Sequence, residues 1–252
     1  MARKRIKPLQ WFKAIPHRRY LSLLAICFGF TWVLLGIAPH DRGTWALENA
    51  PAVLLVAAVA IFHRRLRLSR MSYTVIFLFL CFHEIGAHFT YGRVPYDDLF
   101  RRWFGTGFDN LVGWERNNYD RGVHFLYGLL LAYPVREIFL RVANARGFWG
   151  YFLPLDLTMS TSMLYELLEW ATAVVFGNGA KDYLGTQGDP WDAQKDMALA
   201  GLGALLAMTI TGLVNWRFQK DFAREWNESL RVKNPKPLGE EAAARMLAGY
   251  SK

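Results

Sequence analysis

The sequence predicts an all-α fold: a polytopic membrane helical bundle with about six transmembrane helices. Three observations carry this. Apolar residues make up 53% of the 252 and fall in long blocks instead of alternating with charge, a composition that belongs to membrane chains and not to soluble domains. Six blocks approach the roughly 20 residues that a hydrocarbon layer requires. Period-2 alternation is missing, and lipid tolerates no unpaired backbone, so each block must satisfy its hydrogen bonds within a helix.

The first block, residues 20–38 (YLSLLAICFGFTWVLLGIA), is too long for a removable signal peptide, and the APHDRG that follows makes a poor cleavage site, so it is expected to stay as an anchor. The second, 48–63, is short. The third, 72–91, ends in CFHEIGAHFTYG, where two histidines and a glutamate appear before any turn signal. The fourth to sixth, 120–141, 149–176 and 191–216, are interrupted by charge. In the connection after the third block, Phe100, Trp103, Phe104 and Phe108 alternate with Arg101, Arg102 and Asp109, as in a short helix lying in the headgroup layer. Such a helix would cover the polar residues or guide a lipid to them, unless it is a plain aromatic anchor.

Three regions follow: a basic N-terminus over 1–19, a transmembrane domain over 20–216 and a polar tail over 217–252. Trp11 and Phe12 suit the N-terminus to anionic headgroups. In the tail, the sixth helix is expected to continue to about residue 232, break at KNPKP and give way to a short helix begun by GEEAAARML. Cys27 and Cys81, the only cysteines, lie in apolar blocks and read as small packing groups, with neither a disulfide framework nor a thiolate metal site.

The net charge of +9 is a matter of topology, not of nucleic acid. Seven Lys/Arg precede the first block, four lie between the second and third, three surround the turn between the fourth and fifth, and eight follow the sixth. Those segments share one side of the membrane, so the positive-inside rule places both termini in the cytoplasm.

With that orientation, ionisable residues from four helices reach one depth near the outer face. Residues three or four apart share a helical face, and each helix supplies such a pair: Glu84 with His88, Asp120 with His124, Glu166 with Glu169, Asp192 with Asp196. A charge near the bilayer centre costs at least about 2.5 kcal/mol, so these groups are expected to face one another. Carboxylates and imidazoles projecting into a bundle core form a metal-binding shell, and nitrogen and oxygen donors suit zinc, manganese or iron. Glu84, His88, Asp120, His124, Asp192 and Asp196 are the candidate ligands, with His83, Arg121 and Lys195 around them. Glu169 and Glu166 are the candidate catalytic acids, Glu169 as general base.

Each feature also has a structural explanation. Asp189 before Pro190 looks like a helix N-cap, with Asp192 as a first-turn acid favoured by the helix dipole. Asp120 reads equally as a first-turn acid, and Arg121 and Lys195 as partners in a metal-free polar network. Ser160, Thr161 and Ser162 suit bonds back to the helix. Glycines 185 and 188 in DYLGTQGDPW suit a tight turn, without the spacing of a phosphate loop.

The segments HEIGAHFTYGRVPYDD, NNYDRGVHFLYGLLLAYPVRE, YELLEWATA and DYLGTQGDPWDAQKDMALAGLGA cover most of residues 83–204. They resemble the YjdF-like family of bacterial inner-membrane proteins. The resemblance implies a multi-pass inner-membrane protein and transfers no catalytic residue.

Three functions are compatible with this pattern. The first is an intramembrane, metal-dependent enzyme, hydrolase-like, acting on a lipid or lipid-linked substrate near the periplasmic face. In the second, a transporter, the same acids form a proton or cation path, and Asp156 is the only further charge in the inner halves of the third, fifth and sixth helices. The third is a structural protein whose polar network locks the helices.

Overall fold

A computed structural model describes residues 15–176, 187–233 and 237–250. Among the described residues there are ten α-helices and no strand. Five are long and apolar enough to cross a membrane: α1 (His17–Gly36), α2 (Arg42–Phe62), α3 (Arg70–His88), α6 (Tyr119–Val142) and α8 (Asp192–Phe218). A sixth helix, α7 (Trp149–Phe176), is longer than any of these and carries Asp156, Glu166 and Glu169. Two short helices, α4 (Tyr96–Phe104) and α5 (Phe108–Val112), join α3 to α6, and α9 (Phe222–Ser229) and α10 (Leu238–Tyr250) follow α8.

Helix α6 is the hub, packing on α3, α7 and α8. Its approach to α8 is backbone on backbone. A Cβ at Gly128 would lie 1.9 Å from the Ala200 carbonyl oxygen, and one at Gly203 would lie 2.1 Å from that of Phe125. Ala132, Ala200 and Ala204 fill the rest of the seam with no exposed surface. Small residues drive such packing where lipid provides no hydrophobic force.

Helix α1 lies at the periphery with no buried residue and turns Ile26 and Phe30 outward. It is tied to α3 by a 2.6 Å hydrogen bond between Tyr20 and Thr74 and to α2 by the Trp32 indole on Asn49. Helix α2 begins at Arg42, six residues before the predicted start. The Asp41 carboxylate accepts from the Thr44 amide at 2.7 Å and caps the helix, which also holds its pKa below the usual carboxylate range. That early start draws Glu48 inside the helix.

The predicted continuation of the sixth span to residue 232 is corrected. Helix α8 stops at Phe218, Gln219 is extended, and α9 sets Trp226 edge-on against Phe148, just before α7, and tilted against Tyr151 in its first turn. The Ser229 hydroxyl accepts from the Phe148 amide at 2.9 Å. Residues 1–14, Gly185 and residues 234–236 of KNPKP lie outside the described residues, whereas the helix begun by GEEAAARML corresponds to α10.

The α4–α5 pair forms a compact cap at the end of the bundle where α3 finishes and α6 starts. The Tyr96 hydroxyl donates to Asp109 at 2.7 Å and accepts from the Asn118 amide at 3.0 Å, and burial raises its pKa to about 12. Trp103 and Phe104 point outward, 82% and 68% exposed.

Candidate functional site

At this end of the bundle, α2, α3, α6, α7 and α8 all direct acids inward. Asp120 lies in the first turn of α6 and His124 one turn on. The His124 Nε2 is 3.6 Å from Asp120 Oδ1 and 3.4 Å from Glu166 Oε1 on α7. Asp196, 2% exposed, approaches from α8, and one donor atom each from Asp120, His124 and Asp196 lie within 4.8 Å of one another. Asp196 Oδ1 and Glu166 Oε1 are buried without a hydrogen-bond partner. Buried polar oxygens are nearly always satisfied, so their orphaned state marks a place for something else.

The other predicted residues are distributed around this group. His83 uses both ring nitrogens: Nε2 lies 3.0 Å from the Glu48 carbonyl and Nδ1 2.5 Å from the Tyr91 hydroxyl. A carbonyl only accepts, so Nε2 donates to it, and Nδ1 accepts from the phenol. Tyr91 reaches His83 because the chain leaves α3 through left-handed Thr90 and Tyr91 and lays the ring over Gly86, where a Cβ would sit 2.5 Å from it. Burial pushes the Tyr91 phenol well above its ordinary pKa.

His88 is not brought to the group. It is the last residue of α3, and its Nδ1 bonds to the Leu35 carbonyl of α1 at 2.7 Å. Glu84 on the same helix is fully buried, with neither oxygen well placed on a donor; Asn49 is its nearest polar neighbour.

Asp192 is held by arginines. Its Oδ1 takes the Arg116 guanidinium at 2.7 Å and that of Arg121 at 3.2 Å. Arg121 also reaches Asp189 at 2.5 Å, and Lys195 joins Asp189 from the other side at 2.5 Å. Asp189 is therefore not an N-cap: α8 starts at Asp192, and the Asp189 carboxylate instead accepts from Lys195, the Trp191 amide and Arg121, which lowers its pKa to about 2.

Sequence reasoning missed Glu48. It is 2% exposed and accepts from the Tyr165 hydroxyl of α7 at 2.7 Å, within electrostatic range of Asp120 and Glu84. Glu169 is half-buried near Glu48, Asp120 and Glu166. Among the described residues, Glu48, Glu84, Asp120, Glu166, Glu169 and Asp196 thus form a cluster of neighbouring acids with no Lys or Arg within salt-bridge distance, and of these only Asp120 lines the cavity beneath.

Below them lies a cavity of about 380 Å³ between α2, α3, α6 and α7. Its polar end carries Asp120, His124, His83, Tyr91 and Tyr165; its walls are otherwise almost wholly apolar. On its wall, Thr161 bonds back to the Leu157 carbonyl at 2.7 Å and shares a 2.5 Å hydrogen bond with the Tyr127 hydroxyl, whereas the Ser162 hydroxyl, expected to bond back to the helix, is buried without a partner. Asp156 is exposed on α7 and does not line the cavity.

Fold and site together define a multi-pass helical membrane protein with a cluster of buried acids at one end of a largely apolar cavity. The chain belongs to the family described as "Predicted membrane protein (DUF2238)", whose model matches residues 20–217. It is similar to "Inner membrane protein YjdF" of Escherichia coli (strain K12), with 38% identity over 186 residues, 73% of this chain and 85% of that one. No solved structure matches.

Proposed function

We propose that this protein is an inner-membrane, metal-dependent enzyme acting on a lipid or lipid-linked substrate near the periplasmic face, with both termini in the cytoplasm. Its orientation is supported by the Lys/Arg distribution, and its membrane by the similarity to the inner-membrane protein YjdF.

The observation that carries the reading is the cluster of acids without a basic partner. Six carboxyl groups lie near one another, while the neighbouring arginines are engaged by Asp189 and Asp192. Buried carboxyl groups either stay protonated or need a compensating cation, and a divalent ion would compensate two of them. Asp120, His124 and Asp196 would hold it, with Glu166 beside His124 as a fourth donor. An imidazole with hard oxygen donors and no thiolate fits zinc, manganese or iron.

Such an ion would supply Lewis-acid chemistry at this end of the cavity. Glu169, half-buried beside Glu166 and Asp120, would be the group that takes a proton from a reacting water or hydroxyl. Tyr165 and Glu48 position the pocket between α2 and α7. A membrane-spanning proton path is less well supported, because Asp156 faces outward.

The test is metal content. Protein purified in mild detergent after metal-replete expression is expected to carry about one zinc, manganese or iron per chain by elemental analysis. His124→Ala and Asp196→Asn should lose it at least tenfold, whereas His88→Ala should retain it. An absence of metal from the parent protein would remove the basis of the reading.

A further inference from the structure

We propose that the cavity beneath the acidic cluster is a slot for a single hydrocarbon chain of a membrane amphiphile, entered sideways from the bilayer between α2 and α7. Only the chemistry at the head end rests on the metal reading.

Dimensions select the occupant. Along α6 the lining runs from Asp120 to Val135, fifteen residues or about 22 Å at 1.5 Å per residue. One leaflet's share of the roughly 30 Å hydrocarbon core is about 15 Å, so a whole lipid chain fits with its head beside His124. Spread over that length, the volume of about 380 Å³ leaves a mean cross-section of about 17 Å², a narrow channel that suits one extended chain. The wall chemistry agrees: Leu55, Phe79, Leu131, Val135 and Leu157 surround the deep end, with no charged side chain among the lining residues below Asp120 and His124.

The entrance follows from the packing. Helix α2 packs on α3, and α7 packs on α6 and α8, so α2 and α7 flank the cavity without forming a close helix pair. Pro51, Ala52 and Leu55 line it from α2, and Leu164 and Leu168 from α7; the last two are 54% and 63% exposed, toward what would be lipid. The bond from Tyr165 to Glu48 bridges the two helices at the polar end. A chain sliding in from the membrane thus moves from one apolar medium to another, and only its polar head meets the acids. The acids at the head end disfavour a net anionic head, so a free carboxylate head needs the metal, whereas an uncharged or zwitterionic head does not.

Photolabelling tests this. Detergent-purified full-length protein would be irradiated with diazirine-bearing C16 fatty acid and, separately, with lysophosphatidylcholine carrying the same chain, and labelled residues mapped by mass spectrometry. Labels are expected on Leu55, Leu131, Val135 or Leu157. Val135→Trp and Leu157→Trp, which fill the deep end, should cut labelling at least fivefold with metal content unchanged. Val135→Phe is the milder variant should tryptophan impair folding, with a smaller loss of about twofold. Labels confined to the outward faces of α1 and α8, or labelling indifferent to these substitutions, would overturn the slot. If His124→Ala abolishes fatty-acid labelling and spares the lysolipid, the head-end account holds; equal loss of both contradicts it. Deep labelling in a protein free of metal would sink the metal reading and leave the slot standing.

Discussion

Gly128→Ala and Gly203→Ala are each expected to destabilise the bundle by about 3 kcal/mol, although alanine is the better helix former by up to about 1 kcal/mol. The reason is the backbone contact at the α6–α8 seam: the new methyl group would meet a carbonyl oxygen at 1.9 Å at position 128 and at 2.1 Å at position 203. No rotamer relieves a Cβ clash with backbone, so the helices must separate, losing the packing of Ala132, Ala200 and Ala204 along the whole crossing. Gly201→Ala is the control. Its Cβ would meet only the flexible Met159 side chain at 3.5 Å, an ordinary contact, so this change should be neutral or slightly stabilising. Thermal unfolding in detergent, followed by circular dichroism, gives the comparison. Equal behaviour of the three variants would mean that α6 and α8 are not in backbone contact.

Arg121→Ala is the second large effect, with an expected loss of about 2–4 kcal/mol. Arg121 donates to Asn118, Asp189 and Asp192, joining the start of α6 to the start of α8. Without it, Asp192, 3% exposed, keeps only the Arg116 contact. Removing one member of a buried ion network costs more than the pair contributes, because the remaining charge stays desolvated. Arg121→Lys should recover only part of the loss, since an ammonium cannot reproduce a planar fork that reaches three acceptors. Full rescue by lysine would reduce the interaction to a diffuse attraction. The same unfolding measurement decides.

Much of this architecture is legible in the sequence because its signals are local. Apolar blocks mark α1, α3, α6 and α8, and helical spacing places Asp120 on one face with His124. What escapes is set by contacts distant in sequence. Glu48 opens an apolar block and reads as a terminal charge, yet its partner Tyr165 lies 117 residues away. His88 shares a face with Glu84 by spacing, but the end of α1 captures its ring. Asp192 fits a ligand pattern, while Arg116, in the irregular chain before α6, claims it first. The end of α8 was misread because α9 is helical too, and only the docking of Trp226 on α7 reveals the break.

If, as proposed, α6, α7 and α8 hold a cation between one imidazole and several carboxylates, X-ray absorption at the edge of that metal measures the shell directly. The arrangement predicts oxygen-dominated coordination with the signature of a single imidazole, that of His124, since His83 spends both nitrogens on Glu48 and Tyr91 and His88 is bound to Leu35. Two or more imidazoles, or any sulfur scattering, would contradict it.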